Sequence, residues 1–247
     1  MNSYSCDLHI HTALSPCASL EMSPREIVGR ARRAGLDIIA ITDHNMVENA
    51  RCTEEIGRRN DLLVLPGMEL QTSEEIHLLA IFGANEIACA FHEEVYRSLP
   101  QVENNPDYFG DQVVVDENDN IIRFENRLLL NSVELSLDDA VRLIKSHGGI
   151  VIPSHIDNPT FSIISQLGYI PENLDFDALE IHDIDNIPRV LPFITRKGLP
   201  FVTFSDAHYP ADIGRRRTSL EMPEPCFEGL VEALKGLTGK TAGGRIE

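Results

Sequence analysis

The sequence predicts an α/β fold in which a parallel sheet, closed as a barrel or left open, is covered by helices. Two observations carry this. Short apolar runs alternate with amphipathic stretches along most of the chain, and residues 36–42 (LDIIAIT) are continuously apolar, as a strand buried on both faces requires. In chain order, the first strand is DLHIHT at 7–12. The helix after it is well signalled: Ser23 can cap it, Pro24 suits its first turn, Glu26 completes an S-x-x-E box, and Gly35 ends it. Beyond 36–42, strands are expected at 62–65, 76–82, 149–153, 178–182 and 200–205, and helices at 46–59, 85–98, 136–147, 187–197 and 226–236. Ser136 with Asp139 caps the helix at 136–147, and Gly148-Gly149 stops it. Residues 100–130 interrupt the alternation. Two β-like runs about the polar turn DENDN read as a hairpin inserted in the series. There are no internal repeats, so 1–247 reads as one barrel domain, with 239–247 as a frayed tail.

A chain of 247 residues is long enough to bury a substantial core. Its 21 Lys+Arg against 39 Asp+Glu give a formal net charge of −18. That balance excludes broad binding to a nucleic-acid backbone, which depends on cations neutralising phosphates, and docking on anionic membranes. It leaves open a small phosphorylated substrate held by a few local cations. Five cysteines, an odd number without a CxxC pair, fit reduced thiols in the cytoplasm. The first residues show no basic-then-apolar secretory signal, and no apolar run approaches the roughly 20 residues of a membrane span.

The histidines are the most informative residues. His9 and His11, at i and i+2 in a strand, share a face and can bind one ion. His44 follows LDIIAIT in TDHN, Glu69 lies in PGMEL, His77 in EIHLLAIF, and His155 follows GGIVIPS. Asp206 and His208, again at i and i+2, close FVTFSDAH. HxH, TDH or SDAH alone is a weak signal. Their joint occurrence in order, each at a strand end, points to a metal site, because the C-terminal strand ends of a parallel barrel converge on one mouth. His92, His147 and His182 are left as structural residues, although His182, in EIHD after a strand, could lie near the pocket.

This ordered set resembles the PHP (polymerase and histidinol phosphatase) family of metal-dependent phosphoesterases, from DLHIHT to SDAH. The resemblance implies a distorted (β/α)7 TIM-like barrel and two or three divalent ions, Zn²⁺, Mn²⁺ or Fe²⁺. It implies that His9, His11, Glu69 and Asp206 hold one ion, that Glu69 bridges to a second on His77 and His155, and that His44 and His208 hold a third. Asp7 and Asp43 would orient imidazoles from behind. Many family members have His or Asp six residues after HxH; here Cys17 stands there, as a soft ligand suited to zinc or ferrous iron or as a thiol packed nearby. The implied chemistry is attack of a metal-bridging hydroxide on a phosphoester, with Asp206, His208 and His44 as catalytic candidates and phosphate as product. No GxSxG elbow or Cys–His pair suggests a covalent intermediate.

Arg215, Arg216 and Arg217, seven to nine residues after His208, are candidates to bind the substrate phosphate, with Arg215 the first choice. Ser205, Asn45 and Ser154 are polar neighbours of the motifs. The acidic segment 100–130 would overhang the mouth and exclude long polyanions, so a small phosphorylated metabolite or nucleotide is the expected partner. The run FSIISQLGYIP at 161–171 fits a short helix over the barrel or an apolar contact for the rest of the substrate. The runners-up are a nuclease trimming oligonucleotide ends and a non-catalytic metal-binding PHP module. An amidohydrolase reading lacks a counterpart for that family's carboxylated Lys.

Overall fold

The computed structural model describes residues 1–196 and 198–237, so the stretch 239–247 expected to be a tail lies outside the described residues. The elements follow in order as β1 (Asn2–Ile10), α1 (Pro24–Arg33), β2 (Ile38–Ile41), α2 (Glu48–Arg58), β3 (Leu63–Gln71), β4 (His77–Ile81) and α3 (Asn85–Ser98). Then come α4 (Pro106–Phe109), β5 (Val113–Val115), β6 (Ile121–Phe124), α5 (Leu137–Ser146), β7 (Ile150–Pro153) and α6 (Ile163–Leu167). The described residues end with β8 (Leu179–Glu180), α7 (Ile187–Val190), β9 (Phe201–Val202), β10 (Thr218–Met222) and α8 (Phe227–Gly236).

Local chemistry accounts for the helix starts. The Ser23 hydroxyl accepts the Glu26 N–H, and the Ser136 hydroxyl accepts that of Asp139. Glu26 does not close a box; its carboxylate pairs with Arg30 Nε at 2.6 Å.

The main sheet has the order β10-β1-β2-β3-β4-β7. Strands β1, β2 and β3 run parallel, whereas β4 is antiparallel to both β3 and β7, and β8 pairs in parallel with β9. Backbone bonds complete the circuit. Asp177 donates to Val151 O and Ile156 to Glu180 O, joining β7 to β8; Ala207 donates to His9 O and His11 to Ala207 O, joining the chain beyond β9 to β1. The result is a distorted seven-stranded barrel, as the resemblance implies, but not an all-parallel one. The physical reason lies between β3 and β4: residues 72–76 are too few for a parallel crossover, which needs a dozen or more.

Two further differences from expectation have local causes. Strand β10, unanticipated, pairs antiparallel with the first half of β1 and shows clean alternation, with Thr218, Leu220 and Met222 buried and Ser219 and Glu221 exposed. The helix expected at 187–197 is a four-residue turn flanked by 3₁₀ turns at 184–186 and 191–193, because Pro188 and Pro192 remove donors a longer helix needs.

Alternate residues of the strands (Leu8, Ile38, Leu65, Leu79, Ile152, Val202) pack with Leu230 of α8. The opposite face buries Ile39, Ile41 and Val64 with Ile27 and Ala31 of α1. No helix of the described residues is long and apolar enough to cross a membrane.

Within 100–130, β5 and β6 form an antiparallel hairpin fastened to the segment after HxH. Asn49 of α2 donates to Thr12 Oγ1 and Val113 O and accepts from Val115 N, while Val113 N donates to Ala13 O. Gly110, at φ 101°, lies so close to the loop that a β-carbon there would stand 2.2 Å from Pro16 O. Gly110→Ala should therefore cost about 2–4 kcal/mol and lower the melting temperature by about 5–10 °C in thermal unfolding. A fall of less than about 2 °C would show that the insert does not depend on this contact.

Candidate metal centre

Strand ends deliver every member of the group. His9 lies in β1 with His11 just beyond it, His44 follows β2 and bridges in parallel to Glu69 of β3, and His155 follows β7. Asp206 and His208 lie past β9. His77 arrives differently: it is the first residue of β4, and the antiparallel course of that strand brings its N-terminal end to the same mouth.

Glu69 is the hub. Its carboxylate stands 3.2 Å from His9 Nε2, 3.4 Å from His11 Nε2, 3.2 Å from His44 Nδ1, 3.0 Å from His77 Nδ1 and 3.3 Å from His155 Nε2. Asp206 Oδ1 lies 3.3 Å from the Nε2 atoms of both His9 and His11. Among the described residues, three sets of ligand atoms lie within 4.8 Å of one another and could each hold a cation: His9, His11 and Asp206; His44, Glu69 and His77; His11, His44 and His208.

The imidazoles are aimed by partners behind them, which fixes their tautomers. A carboxylate can only accept, so His9 Nδ1–H donates to Glu180 at 3.0 Å and leaves Nε2 facing the centre. The Ser15 hydroxyl donates to Asp43 Oδ1 at 2.6 Å and so accepts from His11 Nδ1–H at 3.0 Å. Gln71 Oε1 accepts from His77 Nε2–H at 3.0 Å, and Asp206 O accepts from His208 Nδ1–H at 2.8 Å. The other ring nitrogen of His9, His11 and His77 thus points at a carboxylate. His44 Nδ1, His77 Nδ1 and Glu69 Oε1 are buried without a hydrogen-bond partner, a costly arrangement that a divalent cation between them would relieve. The donor set fits metal.

The electrostatics are those of an anionic cage that attracts positive charge, protons on His9 and His11 included until a cation displaces them. Burial opposes the charge of Glu69, but His77, His9 and His44 outweigh it and hold the carboxyl well below its ordinary range. Burial alone would also lower His9; Glu180, Glu69 and Asp206 instead raise it well above its usual value. His11 is raised to about 9, hydrogen bonds to Asp206 and Glu69 overcoming desolvation. His155 and Asp206 adopt left-handed backbones, φ 31° and 52°, which non-glycine residues keep only where surrounding structure enforces it.

Several candidates stand apart from this convergence. Asp7 touches no imidazole; it accepts the backbone N–H groups of Ser205 and Gly214, both at 2.9 Å, and burial raises its carboxyl to about 6. Asp43 reaches His11 only through Ser15 and also binds Thr12. Cys17 is exposed and joins none of the three sets, its thiol pushed up by desolvation and by Glu69 and Asp206. Of the arginines, the exposed Arg215 faces Asp212 at 3.8 Å and Arg217 binds Ala34 O at 2.6 Å. Arg216 donates to Ser205 O, one residue before Asp206, and its charge adds to the burial that lowers His182. Asn45 is scaffolding, bonded to Leu129 O, Asn131 O and Gln71 N. Ser205 donates to His9 O, and Ser154 is buried with its hydroxyl unpartnered.

Sequence reasoning missed Glu180, Ser15 and Gln71. Glu180 carries the same signal as the ligands, a metal-binding residue type at a strand end (ALEIHD), but a lone carboxylate there is unspecific.

Residues 7–158 match the PHP domain and 188–238 match the PHP-associated region. An uncharacterised protein of Methanocaldococcus jannaschii is 34% identical over 184 residues, covering 71% of this chain and 79% of that protein. The lesion-specific endonuclease PfuEndoQ of Pyrococcus furiosus has a similar fold, with TM-score 0.67 and 19% identity over 97% of this chain. The chain spans only 57% of the length of that endonuclease. Endonuclease Q is also known bound to a 27-mer duplex with an abasic lesion at its active site, and that structure aligns with TM-score 0.63 and 18% identity over 98% of this chain and 58% of the endonuclease chain. A provisionally described metal-dependent phosphoesterase of Bifidobacterium adolescentis aligns with TM-score 0.57 and 18% identity over 93% of this chain and 95% of its own. At such identities these structures establish the fold alone. The PHP-domain match spans well over half of the chain, and the chain belongs to the PHP family of metal-dependent hydrolases.

Proposed function

We propose that this chain is a phosphoesterase that hydrolyses a small phosphorylated metabolite or nucleotide. The observation that carries the reading is Glu69 ringed by five imidazoles, with buried ligand atoms left unpartnered. His9, His11, Glu69 and Asp206 would hold one divalent ion, Glu69, His77 and His155 a second, and His44 and His208, with or without Cys17, a third; zinc, manganese and ferrous iron suit these donors. When bound, such ions activate water near neutral pH and neutralise phosphoryl oxygens.

The chain's own residues set the rest. Glu180, Ser15 and Gln71 take the outer ring N–H of His9, His11 and His77, so that the other nitrogen of each faces inward. The open side belongs to Asp206 and His208, whose side chains are 22% and 25% exposed while those of the other members stay at or below 8%. A substrate would enter there and meet Asp206, His208 and His44 together with Arg216. Arg216→Ala should then raise KM for a phosphomonoester about tenfold with little change in kcat, whereas Arg215→Ala should leave both unchanged. Steady-state kinetics checks this, and equal effects from the two variants would remove Arg216 from the binding site.

A nuclease acting on strand ends is the second reading, favoured by the fold shared with an endonuclease and opposed by the charge of −18. The unpaired cysteines support a cytoplasmic location, and the closed strand circuit supports a single barrel domain with 100–130 as its insert. Metal analysis of the purified protein, followed by phosphomonoesters, nucleotides and short oligonucleotides with Mn²⁺, Zn²⁺ or Fe²⁺, tests the reading. Absence of bound metal and of cleavage under every condition would overturn it.

A further inference from the structure

The loop from His155 to α6 carries one residue that the metal centre does not explain. Phe161 has φ 55°, a left-handed backbone that its β-carbon disfavours. Its carbonyl accepts the His77 N–H at 2.9 Å, and its ring lies flat on the His77 imidazole, with centroids 4.9 Å apart and planes inclined by 10°. Hydrogen bonds pin the loop on both sides: Asn158 N donates to His155 O, the Ser162 hydroxyl donates to Asn158 O, and Ser162 with Ser165 forms the capping box that starts α6. Nevertheless the phenylalanine remains 39% exposed. The side chain is thus held in one place by its loop while part of its ring stays open. Here one face is spent on a residue of the centre and part of the ring is left open beside the mouth.

Resting on the phosphoesterase reading, we propose that Phe161 is a stacking platform for a planar heteroaromatic group on the ester side of the substrate. The substrate class is then nucleotides, free or at the end of a strand, in preference to sugar or alkyl phosphates. A rigid ring offers such a group a π-face without regard to its hydrogen-bonding edge, so it selects planarity and not base identity. Phe161 acts on specificity and takes no part in the bond cleavage.

The test is calorimetric binding of phenylphosphonate and methylphosphonate to the metal-loaded full chain. Both present the same headgroup and neither can be hydrolysed, so the result does not depend on turnover. The wild type should bind the phenyl compound about tenfold more tightly, equivalent to about 1.4 kcal/mol. Phe161→Ala and Phe161→Leu should abolish that preference with metal content unchanged, and Phe161→Trp should retain it. Equal affinity for the two compounds in the wild type, or no binding of either, overturns the platform. So does loss of metal and of both ligands together in both the Ala and Leu variants, which would make the ring only a cover for His77. Adenosine monophosphate and a 5′-phosphorylated trinucleotide, compared in the wild type and Phe161→Ala, identify which source of the planar group is used. Failure of the phosphoesterase reading registers separately, as a protein that discriminates the phosphonates yet cleaves no phosphoester.

Discussion

Glu69→Gln should empty the metal centre and lower any hydrolytic rate on the order of a thousandfold or more. The carboxylate lies within 3.4 Å of five imidazole nitrogens, and among the described residues no other acidic group reaches the imidazole rings of His44, His77 or His155 so closely. An amide keeps the shape but not the charge, and its NH₂ cannot ligate a cation. The change also leaves His9 and His11 with less anionic support, so both imidazoles should titrate at lower pH than in the wild type. Metal content by elemental analysis and hydrolysis of an aryl phosphate measure the outcome. A variant that retains full metal and full rate would show that Glu69 is a buried ion-pair hub and nothing more.

Replacing Glu180 should weaken metal binding without touching the open face of the site. Its carboxylate fixes the His9 tautomer and also accepts the His155 N–H at 3.0 Å, so one side chain orients two members of the centre. Glu180→Ala should lower metal affinity about a hundredfold, and Glu180→Gln, which keeps an acceptor oxygen, about tenfold. Competition with a chelator gives the affinities, and circular dichroism should show unchanged secondary structure in both variants. Equal affinity in wild type and Glu180→Ala would remove Glu180 from the centre. The order of the two variants matters as well: a Gln variant weaker than the Ala variant would contradict an orienting acceptor.

How much of this was legible depended on whether a residue's role is set locally. HxH announces itself because alternation in an extended chain puts i and i+2 on one face, whereas Asp206, with its left-handed backbone, and His208 lie past β9 and were read from their residue types; Ser23 and Ser136 are read from three-residue patterns. The α/β class follows from LDIIAIT, whose residues at β2 are all buried. The direction of β4 was not read, because the strand expected at 62–65 runs on to Gln71 and only then leaves a link, 72–76, short enough to force a reversal. Strand β10 was obscured by the arginines before it, although TSLEM alternates perfectly. Glu180 was not readable: its partner His9 is 171 positions away, and nothing near ALEIHD indicates the contact. The choice among three adjacent arginines likewise depends on where the chain turns after Gly214, which brings Arg216 back to Ser205.

The Asp7 clasp on Ser205 and Gly214 has a consequence for the timing of assembly. The contacts close over 198 and 207 positions, and the first strand also takes His11 and His9 partners from Ala207. In a chain made from its N-terminus, His9, His11, His44, Glu69 and His77 are all synthesised well before Asp206 and His208. Such late, long-range closure is slow to find. Ions held by residues from both ends of the chain would add their binding free energy to this closure.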